Sequence, residues 1–231
     1  MVDHPEGPVL AEEAVAGLSV GVVCDDVEER RADVGVRRQR DAEVGDRVAA
    51  SAKQEHTGYV FTSTDKKQVL QARFDGFTFS RLAPYREWES FRDEARRLWT
   101  VYRERTSPAE VLRLAVRYIN RFDLPGPNTE LKDFFRTTPE ISPDLPQTLS
   151  SFFLRVVIPQ DDLNGQLLIN QTIIPPASPD AVSVVLDIDL FRDTEVPDRE
   201  DGIWQFFEQL HDRKNDVFEA CITDRARELI R

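Results

Sequence analysis

The sequence predicts an α+β domain: a curved antiparallel sheet with two main helices on one of its faces. Three observations lead there. Apolar and polar side chains alternate in a succession of short stretches after residue 58, the period of half-buried strands. Two longer stretches instead repeat apolar residues at three- and four-residue steps, the period of amphipathic helices. The order runs strands, helix, four strands, helix, which suits an antiparallel sheet better than alternating parallel units.

Tyr59, Val60 and Phe61 read as a strand, and Thr62 to Lys67 as a turn whose side chains bond their own backbone. From Gln68 to Leu82, Leu70, Ala72 and Phe74 face one side and Val69, Gln71, Arg73 and Asp75 the other, with a turn or bulge at Gly76. Trp88, Phe91, Ala95, Leu98, Trp99 and Tyr102 make the stripe of the first helix, which stops near Thr106. Ser107, Pro108, Ala109 and Glu110 look like an N-cap, a first-turn proline and a capping-box glutamate opening one new turn.

Leu112 to Asp123 alternates as a strand with Arg113, Arg117 and Arg121 on one side and Leu114, Val116, Tyr118, Asn120 and Phe122 on the other. Further strands are expected at Ser151–Pro159, Gln166–Ile174 and Ala181–Phe191. The long connection before them, Leu124 to Ser150, holds five prolines and a two-turn helix at Thr129–Arg136, and reads as a covering flap or binding element. A helix from Gly202 to Glu219 follows, then a short one capped by Thr223. The plan is that of helix-grip or TATA-binding-protein-like folds.

Residues 1–57 are a different kind of sequence. They hold no aromatic residue and no isoleucine, but 11 valines among Ala, Asp, Glu, Arg and Gly. So little bulky apolar area cannot offset about 1–2 kcal/mol of backbone entropy per ordered residue, so disorder is expected, with a helical fragment at most over 25–49. Such a composition is that of a genuine acidic linker, or of G+C-rich coding sequence read from a wrong start or frame. The domain is expected over 58–231.

The chain carries 42 acidic against 30 basic residues, a net charge of -12, which excludes nucleic acid and anionic membranes as main partners by long-range repulsion. Ala14–Cys24, the longest apolar run near the start, has 11 residues, follows Glu12 and Glu13, and is too short to span a membrane, which takes about 20. Cys24 and Cys221 match no disulfide or zinc spacing, and Cys221 reads as a small buried hydrophobe. A soluble protein of the reducing cytoplasm is expected.

Several blocks in combination resemble a sporadically distributed family of bacterial proteins of about 250 residues. They are Gln71-Ala72-Arg73-Phe74-Asp75-Gly76-Phe77-Thr78-Phe79-Ser80, Arg117-Tyr118-Ile119-Asn120-Arg121, Leu186-Asp187-Ile188-Asp189, Lys214-Asn215-Asp216-Val217-Phe218 and Ile222-Thr223-Asp224. The resemblance covers 58–231 and implies no activity. It implies a further strand and helix at the start, not found in 1–57. Their lack would leave a sheet edge open to another chain, including a second copy.

Candidate chemistry is sparse. Asp187 and Asp189 share one strand face, and such a pair can hold Mg²⁺ for a transferase or hydrolase, against the plainer reading of a solvated sheet face. Arg113, Arg117, Arg121 and Arg155, with Asn170 and Thr172, fall on the same face, either pairing with those aspartates or clamping an anionic ligand. The deciding observation is whether an arginine there lacks an acidic neighbour. Asn120 points to the core, where it must be hydrogen-bonded, with Asn215 of the last helix the expected partner and a polar pocket anchor the functional alternative. His4 and His56 lie in the weak segment and His211 is a boundary residue, so histidine catalysis and a triad have no support. No Walker, dinucleotide, HExxH or CxxC motif occurs. No cofactor is called for. The favoured reading is a non-enzymatic module binding a protein partner or a small anionic ligand.

Overall fold

The computed structural model describes residues 17–24, 57–84, 87–126, 129–176 and 178–230. They form one curved, unclosed antiparallel sheet of eight strands with helices packed on it. The strands are β1 (Gly17–Cys24), β2 (Gly58–Thr62), β3 (Gln68–Arg73), β4 (Gly76–Leu82), β5 (Val111–Pro125), β6 (Phe153–Gln160), β7 (Gly165–Ile174) and β8 (Ala181–Arg192). The helices are α1 (Trp88–Thr106), α2 (Glu200–Cys221) and α3 (Asp224–Glu228). The sheet order is β2-β3-β4-β1-β5-β8-β7-β6.

That order contains a repeat. Four strands and a helix occur twice, and in each half the last strand returns beside the first: β2-β3-β4-β1 on one side, β6-β7-β8-β5 on the other. The halves join through the antiparallel pair β1–β5, where Val20 lies opposite Val116. Among the described residues, open edges are therefore left at β2 and β6.

Strand β1 corrects the expectation that residues 1–57 add no packing. It is hydrogen-bonded on both sides, to β4 and to β5. Val20 is 1% exposed, and Val22 is buried with it in the core beside Phe77, Phe79, Leu114 and Val116. The composition of the whole segment hid one uncharged, valine-rich stretch. Its neighbours supply the bulky area, so two valines suffice, each side chain contributing about 1.5–3 kcal/mol on burial. The strand also fills the place expected to be an open edge. Residues 1–16 and 25–56, with the 25–49 helical fragment, His4 and His56, lie outside the described residues.

The core lies between the sheet and the two long helices. Phe91, Ala95 and Trp99 of α1 and Ile203, Phe207 and Leu210 of α2 are buried on the row Val20, Phe79, Val116, Ile188 and Leu190. The helices meet edge to edge: Trp88 Nε1 donates to Glu208 at 2.8 Å, Arg103 pairs with Glu200 at 2.9 Å, and His211 stacks on Trp88 at 4.3 Å. Two local expectations fail. Ser107 opens no new turn; it closes α1 in the left-handed region (φ 46°), its N–H donating to Arg103 O, and β5 starts at Val111. Thr129–Arg136 forms only the 3-10 turn Leu131–Asp133, because Phe134 and Phe135 are drawn into the core, where Phe135 bridges Ile222. The flap thus closes the core beside the end of α2.

Candidate functional site: the exposed face of the sheet

Alternation puts Arg113, Arg117 and Arg121 of β5 and Asp187 and Asp189 of β8 on the face away from the helices, as expected. The register brings Arg117 opposite Asp189, and Asn170 between Asp187 and Arg155. Arg117 forks onto Asp187, Nε to Oδ1 and Nη2 to Oδ2 both at 2.8 Å, and Asn170 Nδ2 donates to Oδ2 at 3.0 Å. Arg113 donates to Asp189 Oδ2 at 3.2 Å and lies over the Phe191 ring at 4.3 Å. Arg121 donates to Asp123 at 3.0 Å and to Ser183 Oγ at 3.2 Å.

Three of the four arginines are thus neutralised. Arg155 has no acidic partner among the described residues and stands exposed on β6. The face is not simply solvated either: Asp187 is 4% exposed, roofed by the Arg117 fork. Asp189 and Asn170 each keep one buried oxygen without a hydrogen-bond partner. Burial pushes the Asp189 carboxyl above its ordinary pKa, although Arg113 and Arg117 pull it down. A metal ion at Asp187 would have to displace a bidentate guanidinium, and no group of three or more His, Cys, Asp or Glu poised for a metal exists among the described residues.

The helix side holds a second polar set. Asn120 is buried, but its partner is not Asn215: Nδ2 donates to Leu186 O at 3.2 Å, while Asn215 faces His211. The residue that α2 turns toward the sheet is Lys214, with Nζ 4.3 Å from the Tyr118 ring centroid. Burial pulls its pKa down to about 8. The signal was present in the sequence: Lys214 continues the stripe of Leu210, Val217 and Cys221. Gln171 is buried as well, two residues beyond Ile169 on the core-facing row of β7. His211 is held below its ordinary pKa by burial and by Lys214. Cys221 is buried and free, its thiol pushed up by desolvation.

Two hollows stand out. An open trough of about 440 Å³ lies where α1 ends and α2 begins, lined by Thr100, Arg103, Glu104, Ser107, Pro108 and Glu200. A void of about 10 Å³ lies between Gln171, Cys221 and Thr137. Neither encloses a small molecule. No helix is long and apolar enough to cross a membrane among the described residues.

At both sheet edges apolar side chains face outward. Phe153 and Val157 of β6 are 60% and 51% exposed, with Ile158 beside them; Val60 and Phe61 of β2 are exposed too. Nothing in the alternation of these strands distinguishes an edge from an interior position.

Comparisons with family models, curated proteins and solved structures return no match. Three of the sequence blocks singled out above lie together in space, while the β3–β4 hairpin is separated from them by β1. Gln71–Ser80 is the β3–β4 hairpin, Arg117–Arg121 and Leu186–Asp189 are adjacent stretches of β5 and β8, and Lys214–Phe218 lies over them on α2.

Proposed function

We propose that this chain is a non-enzymatic protein-interaction module, with its docking surface on the β6 side of the open sheet. The observation that carries this reading is an eight-residue edge strand that, among the described residues, has no neighbour on one side and presents Phe153, Val157 and Ile158 to solvent beside Arg155, which has no acidic partner among those residues. Exposed apolar groups on an open edge are what a polypeptide uses when it adds a strand: backbone bonds supply affinity and side-chain rows supply specificity. The neutralised arginines support the same reading, because a small anion would have to compete with carboxylates already in place. No observation favours metal-dependent transfer or hydrolysis at Asp187 and Asp189.

A photo-crosslinking residue at position 153, with position 101 on the outer surface of α1 as control, tests the module. Both replaced side chains are apolar and exposed. A polypeptide captured from 153 and not from 101 is expected. No capture, or equal capture from both, would overturn the reading.

A further inference from the structure

Strand β6 lacks most of the devices that protect a sheet edge. It runs in unbroken register with β7 from Phe153–Thr172 to Gln160–Gly165, without a bulge. At about 3.4 Å per residue it offers roughly 27 Å of backbone, one side of which faces no strand among the described residues. Its only charge is Arg155, and its only proline, Pro159, stands near the end. The neutral stretch is longer than the strand: Leu145 to Gln160 contains a single charged residue, between Asp144 and Asp161, in a chain that is 31% charged. Two copies carrying -12 each repel at long range, but fields are screened beyond about 8 Å at physiological salt, so contact is decided locally. Here the local surface is almost uncharged.

The strand is also complementary to itself. Turned antiparallel about Val156, it sets Phe153 against Pro159 of a second copy, Leu154 against Ile158, and Arg155 against Val157. No two arginines then lie directly opposite, the arrangement that like charges disfavour. One row, Phe153, Arg155, Val157 and Pro159, extends the exposed face; the other, Leu154, Val156 and Ile158, extends the apolar layer under the helices. Joining β6 to β2 of the next copy would add molecules without closing, whereas β6 on β6 closes as a two-fold pair.

Resting on the reading of the β6 side as a protein-docking surface, we propose that its partner is a second copy of this chain. The two β6 strands pair antiparallel about Val156, fusing two eight-stranded sheets into one.

Sedimentation equilibrium of the full chain tests this. A reversible dimer is expected at micromolar concentration, tightening as NaCl rises from about 50 to about 500 mM, because salt screens the repulsion between the two acidic bodies. Val157→Lys sets an ammonium opposite Arg155 of the partner and is expected to raise the dissociation constant at least about tenfold. Val101→Lys is expected to leave it unchanged. Circular dichroism and melting confirm that each variant is folded. Should Val157→Lys fail to fold, Arg155→Glu mixed with the unaltered chain keeps the question open to measurement. The residues at position 155 then sit diagonally, about 7–8 Å apart, and heterodimers should exceed the statistical half.

A chain monomeric up to about 100 µM would overturn the proposal. So would a dimer that Val157→Lys leaves intact, one that salt dissociates, or one broken by Val60→Lys instead. A monomeric chain that still captures another protein from position 153 sinks the self-pairing and spares the module. A monomeric chain that captures nothing sinks both.

Discussion

Replacing Lys214 by methionine measures what the buried ammonium costs this fold. The side chain is 2% exposed on α2, and burial lowers its pKa from 10.5 to about 8. That fall corresponds to about 3 kcal/mol of preference for the neutral amine. The contacts the ammonium makes work the other way, the cation–π contact with Tyr118 among them at about 1–2 kcal/mol in a desolvated site, and the lowered pKa has burial as its cause. Methionine keeps the aliphatic reach and drops the charge. At about pH 7 Lys214→Met is therefore expected to gain about 1–2 kcal/mol, or about 2–8 °C in melting temperature for a chain of this size. The sign of the pH dependence follows from proton counting. Below about pH 8 the lysine is charged in both folded and unfolded states, and its full cost is present. Between about 8 and 10.5 the unfolded state binds more protons, so the wild-type chain gains stability as pH rises and the advantage of the methionine variant shrinks. Tyr118 and Cys221, both pushed up by burial, oppose this trend from about pH 9 upward; Cys221 is common to both proteins and drops out of the difference, whereas Tyr118 touches Lys214 and does not, so the slope is taken below about pH 9. Urea unfolding followed by tryptophan fluorescence, at steps from about pH 7 to about pH 10, supplies the comparison. A methionine variant less stable than wild type near pH 7, or a difference that stays flat with pH, would refute the reasoning.

Three further outcomes are expected. Val20→Asp puts a carboxylate at a position 1% exposed between β4 and β5, and removal of residues 1–24 bares the facing edges of those strands; both should yield aggregated or unfolded protein, seen by light scattering and circular dichroism. Asp187→Asn strips the Arg117 fork of its acceptor and should cost about 1–3 kcal/mol in urea unfolding near pH 7, whereas Asp189→Asn, relieving a carboxylate that burial disfavours, should cost less than about 1 kcal/mol or stabilise. Trp88→Phe removes the 2.8 Å bond to Glu208 where the two helices meet and should cost about 1–2 kcal/mol, read as a lower melting temperature.

Much of the fold was legible in residue order because its signals are local. The two-residue alternation of Leu112–Asp123 and Ala181–Phe191, and the helical stripes through Trp88 and Ile203, depend on side chains a few positions apart. The same alternation placed Arg113, Arg117 and Arg121 with Asp187 and Asp189 on one face. It could not say which arginine takes which aspartate, because that depends on a register between strands about seventy residues apart. Strand β1 was misread for a related reason: an average over fifty-seven residues diluted eight, and the bulky groups that make two valines enough belong to β4 and β5.

By itself, then, the sequence determined the class of the fold and the facing of most side chains, both properties of short-range pattern. Only the tertiary structure decided that Asp187 is buried under Arg117, that Lys214 rather than Asn215 meets the sheet, and that β6 is an edge. Burial, pairing and exposure are set by what lies across the sheet from a residue, and the chain folds those neighbours in from far along its length.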